Sequence, residues 1–161
     1  MGHLGFSYVG LVYLLMLFVP NILWSKRLPA DYSAAGENQW LRLLERVGQT
    51  ACTVTVLIFS DYDLTSFSIR SLWFVASFAL MLLYELCWLR YFIGGRTQED
   101  FYKSFLGIPL PLATLPVAAF LLLGIYGGVI WLAAAAVVLG IGHIGIHAGH
   151  ARALREKNDG R

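Results

Sequence analysis

Charge is what this chain most lacks. Aspartate, glutamate, lysine and arginine make up 14% of its 161 residues, against about 25% in an ordinary soluble domain. The basic residues form no run and the net charge is only +2, so nothing supports binding to nucleic acid. Cysteine is nearly missing too. Cys52 and Cys87 each stand inside an apolar segment, which gives no disulfide framework and no thiolate metal spacing, only two small buried hydrophobes. No lysine or arginine precedes the first apolar run, so a cleavable leader is not expected and that run reads as a retained helix. The chain has no glycine-rich phosphate loop, no HExxH, no dinucleotide fingerprint and no recognisable nucleophile–histidine–acid set. No internal repeat of the transporter kind is visible.

What is present is long apolar sequence. Hydrophobic residues are 58% of the chain and the mean hydropathy is +0.64. Five segments are long enough to cross about 30 Å of hydrocarbon: residues 4–24, 41–59, 71–91, 108–126 and 129–147. The expected fold is therefore all-α, a single transmembrane domain built as a polytopic five-span bundle. A short amphipathic helix is expected after Gly94-Gly95-Arg96, where Thr97-Gln98-Glu99-Asp100 fits an N-cap with acids in the first turn. Pro109 and Pro111 suit the start of the fourth span, whereas Pro116, deeper in, is expected to kink it. Gly127-Gly128 makes a tight turn into the fifth. Beyond residue 147 the charged tail is expected to extend that helix and then fray.

Five spans place the termini on opposite sides of a membrane. Lys26, Arg27, Arg42, Arg46, Arg90, Arg96, Lys103, Arg152, Arg155, Lys157 and Arg161 then share one side, and only Arg70 lies opposite. By the positive-inside rule the N-terminus is outside and the C-terminus cytoplasmic, in a cytoplasmic membrane. The expected partners are the lipid bilayer and, through the small residues of the fifth span, a second copy of the chain. Ala136/Gly140 and Gly145/Gly149, four apart, suit close helix packing within one chain first and association of two copies second.

Several stretches carry a resemblance. They are Pro20-Asn21-x-x-Trp24-x-Lys26, Glu45-Arg46-x-Gly48, Ile58-Phe-Ser-Asp61-Tyr-Asp63, Gly107-Ile-Pro109, Leu115-Pro116 through Gly124-Ile-Tyr-Gly127, and Gly140-Ile-Gly-His143-Ile-Gly-Ile-His147. Together, over nearly the whole chain, these resemble a group of small bacterial five-helix integral membrane proteins. The resemblance implies a bacterial membrane setting and carries no activity or catalytic residue with it.

The candidate site comes from depth. At about 1.5 Å per residue, Glu45, Glu85 and His143 lie roughly 6, 9 and 6 Å inside the basic end of their spans, and Gln49 about 12 Å. Asn21, Arg46 and His147 belong to the same layer. Ionisable groups at such depth normally face the bundle interior and need a partner. Glu85 is the most conspicuous, with no charge from Ser71 to Tyr84. It is expected to pair with Arg46 or Arg90, or else to serve as a proton or cation site. Glu45 is shallow enough to be solvated. Asp61 and Asp63, in a short external loop, read as solvated surface. His143, His147 and His150 fall on one helical stripe. His143 and His147 could share a divalent metal ion with a glutamate from another helix, Glu45 or Glu85; His150, about 10 Å further along the axis, is too far. The alternative is histidines that only hydrogen-bond. These residues suggest a protein that binds or transports a proton, cation or small polar solute. The other readings are a membrane-embedded metal enzyme and a structural subunit.

Overall fold

A computed structural model describes residues 2–29, 32–34 and 36–160. Arg161, noted above, lies outside the described residues. The fold is all-α. Among the described residues the helices are α1 (Tyr8–Ser25), α2 (Gln39–Ile58), α3 (Ser71–Ile93), α4 (Gln98–Tyr102), α5 (Pro111–Gly127) and α6 (Ile130–Asp159), with a 3-10 turn at Ser60–Tyr62. Among the described residues there are no strands, only two isolated bridges, Leu4 to Phe59 and Phe105 to Ile108.

The helix ends follow local chemistry. Ser7 caps α1 by accepting from the Gly10 N–H, so the chain before it is extended and docks on the loop after α2 instead of continuing the helix to residue 4. Gly5 and Ser7 donate to the carbonyls of Ile58 and Leu57. Asn38 caps α2 through the N–H groups of Trp40 and Leu41. Thr97 and Asp100 form a reciprocal capping box on α4, the arrangement expected from their spacing. Pro111 opens α5, and Pro116 sits buried within it. Gly128 ends α5 at φ 65°, its N–H returning to the Gly124 and Ile125 carbonyls; a side chain there would strain the backbone. Helix α6 runs 12 residues past the expected end of its span, carrying the charged tail.

By length and composition α1, α3 and α6 are apolar enough to cross a membrane. Helix α5 is apolar but has 17 residues, and α2 begins with a polar half that includes Arg42, Glu45, Arg46 and Gln49.

Helix α6 packs along α2 on one side and α5 on the other; α3 lies against α5, and α1 touches α2 and α3. Close approach depends on glycine. A Cβ on Gly48 would meet the Leu139 backbone, one on Gly142 the backbone of Leu41 and Glu45, and one on Gly10 the Val56 carbonyl. On α6, Gly142 therefore serves packing within the chain.

Two ends can be distinguished. At one end Tyr126 donates to the Asp63 carbonyl, and His3 and Ser7 bind Asp61 and Asp63. Here Val56, Met81, Leu123, Leu132 and Ala136 are buried, none more than 1% exposed. Tyr13, Ser77 and the Ala119 carbonyl form a short buried hydrogen-bond chain beside them. The other, basic end holds the 26–38 connector, α4 and the α6 tail. A cavity lies at this end. Large apolar side chains cover the outside of the helices, among them Leu11, Leu15 and Val19 on α1, Leu82, Leu86 and Leu89 on α3, and Val137 and Ile141 on α6.

Candidate functional site

The cavity measures about 250 Å³ and draws its walls from α1, α2, α3, α4, α5, α6 and the connector. At the packed end α1 and α2 meet backbone to backbone at Gly10 and Val56, and at the basic end bulky rings from α1, α3, α4 and α5 line the space. Phe18, Trp24, Tyr84, Trp88, Phe101 and Phe120 supply much of the wall. Trp24, Trp88 and Phe101 contact one another, with ring centroids 5.1–6.5 Å apart. Asn21 crosses this aromatic wall by donating to the Tyr84 hydroxyl at 2.6 Å and to the Leu17 carbonyl at 2.7 Å.

The polar corner lies between α2 and α6. Gly142 lets α6 approach α2 at Leu41 and Glu45, so the next residue, His143, reaches across. Its Nδ1 lies 2.6 Å from Glu45 Oε1. About a quarter of each side chain stays accessible, 25% for His143 and 27% for Glu45, so the pair can be reached from outside the fold. One turn on, the His147 ring stands edge-on to His143 at 4.5 Å and leans on Phe101 and Tyr102. Its Nδ1 is buried and has no hydrogen-bond partner among the described residues. Glu45, His143 and His147 each offer a ligand atom, and these lie within 4.8 Å of one another.

The connector closes the basic end. Glu37 accepts from His150 Nε2 at 2.9 Å, and its other oxygen is 4.0 Å from the Arg42 guanidinium. The Tyr32 ring packs on Trp24 and on His150. Burial first, then the charges of Glu37 and Glu45, raises the Tyr32 phenol above its ordinary pKa. Burial likewise raises Tyr102, with Tyr32 and Glu37 adding to it. Both hydroxyls are therefore neutral at physiological pH.

The structure brings Asn21, Glu45, Gln49, His143 and His147 to one cavity and leaves two expected members out. Glu85 is not among the lining residues, although its neighbour Tyr84 is. Among the described residues it makes no ion pair, and its Oε1 is buried without a partner. Arg46 is exposed on α2 and does not meet it. Arg90, the other expected partner, donates to the carbonyls of Lys103 and Ser104 and lies over the Phe105 ring, tying down the link from α4 to α5. The physical reason is helix order. Helix α6 neighbours α2 and α5, and α3 lies beyond α5. Glu45, expected to be solvated, is the carboxylate that meets the histidines. Asp61 also differs from a solvated acid, since it receives the His3 ring Nδ1 at 2.8 Å and the His3 backbone N–H.

Sequence reasoning missed Glu37, Tyr32 and Tyr84. The first two sit in a polar connector whose path depends on tertiary contacts, and no local signal points to them. Comparison with family models, with curated proteins and with solved structures finds no match.

Proposed function

We propose that this is a five-span protein of a bacterial cytoplasmic membrane, N-terminus outside and C-terminus cytoplasmic, whose inner-half cavity binds a cation or small polar solute. The apolar outer surface supports the membrane setting, because exposed apolar area on this scale is costly in water and ordinary in lipid. Helices α2 and α5 complete the five spans alongside the three long apolar ones. Of the described basic residues, all but Arg70 cluster at the cavity end, and that charge bias supports the orientation. The two-histidine, one-carboxylate corner carries the binding reading. Charged and polar groups inside a membrane bundle are expensive and normally mark a ligand or ion path. The packed opposite half argues for binding from the cytoplasmic side over a continuous channel, so any transport requires the bundle to rearrange.

A panel of monovalent and divalent cations, amines, carboxylates and small neutral solutes tests the reading by thermal unfolding of the detergent-purified protein. A bound ligand raises the melting temperature by mass action. At least one member should do so in the wild type and fail to do so in Val117→Phe, which fills the cavity. A panel without effect, or one whose effect survives the filled cavity, contradicts the proposal. A membrane-embedded enzyme is the second reading. The accessible Glu45–His143 pair favours it, since a carboxylate-oriented imidazole is the usual equipment for proton transfer.

A further inference from the structure

The polar corner has the makings of a more specific site than a general cation cavity. Three different helical positions deliver two imidazoles and one carboxylate to within 4.8 Å, and the backbone contact at Gly142 fixes the distance between the helices that carry them. A second, independent observation is the His147 ring. Its Nδ1 is buried and unpartnered among the described residues. A buried polar atom left unsatisfied does not recover the hydration it loses, and few are left so without a reason. The third is charge. Among the described residues no arginine or lysine pairs with Glu45; its ionic partner is His143.

We infer that Glu45, His143 and His147 together bind one divalent transition-metal ion of the zinc class. This rests on the reading of the cavity as a cation site and names the cation. Imidazole nitrogen with a single carboxylate suits Zn²⁺, Co²⁺, Fe²⁺ or Mn²⁺, whereas Mg²⁺ and Ca²⁺ take oxygen ligands. Bonds of about 2.0–2.2 Å in a tetrahedral set put the donor atoms about 3.3 Å apart. The ion therefore parts Glu45 Oε1 from His143 Nδ1, now at 2.6 Å, and draws the His147 ring inward. The hydrogen between Glu45 and His143 is the competitor: metal entry requires it to leave His143 Nδ1, and the neutral imidazole then carries its N–H on Nε2. Three protein ligands leave a fourth position, and all three line the cavity that Asn21, Tyr84 and Phe120 also line. Closed four-ligand sites are structural; a site with an open position takes a further ligand or a substrate. His150 is excluded because Glu37 already holds it.

The test is titration of the chelator-stripped, detergent-purified protein with Co²⁺ alone, followed by visible absorption, and then displacement by Zn²⁺. The expected result is one Co²⁺ per chain with the intense bands of a four-coordinate site. His143→Asn, His147→Asn and Glu45→Gln should each weaken binding by more than the 10–100-fold typical of an outer-sphere change, and His150→Asn by less than threefold. Melting without metal checks that each variant is folded. The wild-type stoichiometry decides by itself if a variant is not. Failure of the wild type to bind Co²⁺ or Zn²⁺ overturns the inference, as does binding undiminished in all three variants. If metals fail while another solute in the panel stabilises the protein, the cavity reading stands and the metal site falls.

Discussion

Gly142 stands against the backbone of Glu45 with no space for a side chain between them. That contact places His143 opposite the Glu45 carboxylate. Gly142→Ala should therefore cost about 1–3 kcal/mol by overpacking, more than the roughly 0.5–1 kcal/mol that alanine gains over glycine in a helix. Gly149, on the same helix with nothing within 4 Å of an added Cβ, is the control; Gly149→Ala should be neutral or slightly stabilising. Thermal unfolding in detergent reads both. Equal effects would mean that α2 and α6 do not pack as described.

Glu85 should behave as a carboxylate without a partner. A charge in mid-span costs about 2.5–3.5 kcal/mol on insertion scales, so Glu85→Met should leave the melting temperature unchanged or raise it. Arg46→Ala, at an exposed position, should change stability by no more than about 0.5 kcal/mol. The double variant should be additive to within about 0.5 kcal/mol. A large loss on Arg46→Ala that Glu85→Met rescues would restore the ion pair and contradict the geometry.

These two glutamates show what the sequence made legible and what it did not. Uninterrupted apolar length and the Thr97 and Pro111 signals mark helices whose ends fall within about four residues of expectation, the α6 tail apart. The basic residues also mark one end correctly as a group. Depth along each helix follows from counting, so Asn21, Glu45, His143 and His147 were legible as one layer. Rotation about each axis and the order of helices around the bundle were not. Glu85 stands out in sequence because it is alone among apolar residues, but α3 presents Tyr84 and Trp88 to the cavity. Glu45 looks ordinary beside Arg42 and Arg46. Only the glycine contacts at positions 48 and 142 turn it towards α6.

The far end of the bundle should loosen in acid. Burial alone would raise the Asp61 carboxyl, but hydrogen bonds from the His3 ring and backbone, with the ring's charge, hold it below its ordinary pKa. A carboxyl depressed in the folded state stabilises it fully above the unfolded value near 4. The contribution is lost as pH falls through the lower, folded value. Amide exchange at Gly5 and Ser7, whose N–H groups bond to Ile58 and Leu57, should quicken severalfold relative to neutral pH after correction for intrinsic rates. Asp61→Asn should flatten that response. An unaltered pH response in Asp61→Asn would show that the strap does not depend on this pair.

The central claim is a membrane-embedded cavity reached from the cytoplasm, and sided labelling of Gln49→Cys tests it most directly. Gln49 lines the cavity and keeps an exposed side chain. In a Cys52→Ser, Cys87→Ser background, a small membrane-impermeant thiol reagent should label Cys introduced at 49 in inside-out vesicles and not in right-side-out ones. Ser66→Cys, in the loop at the opposite end, should give the reverse. Labelling of both positions from the same side, or of position 49 from outside, would contradict the account.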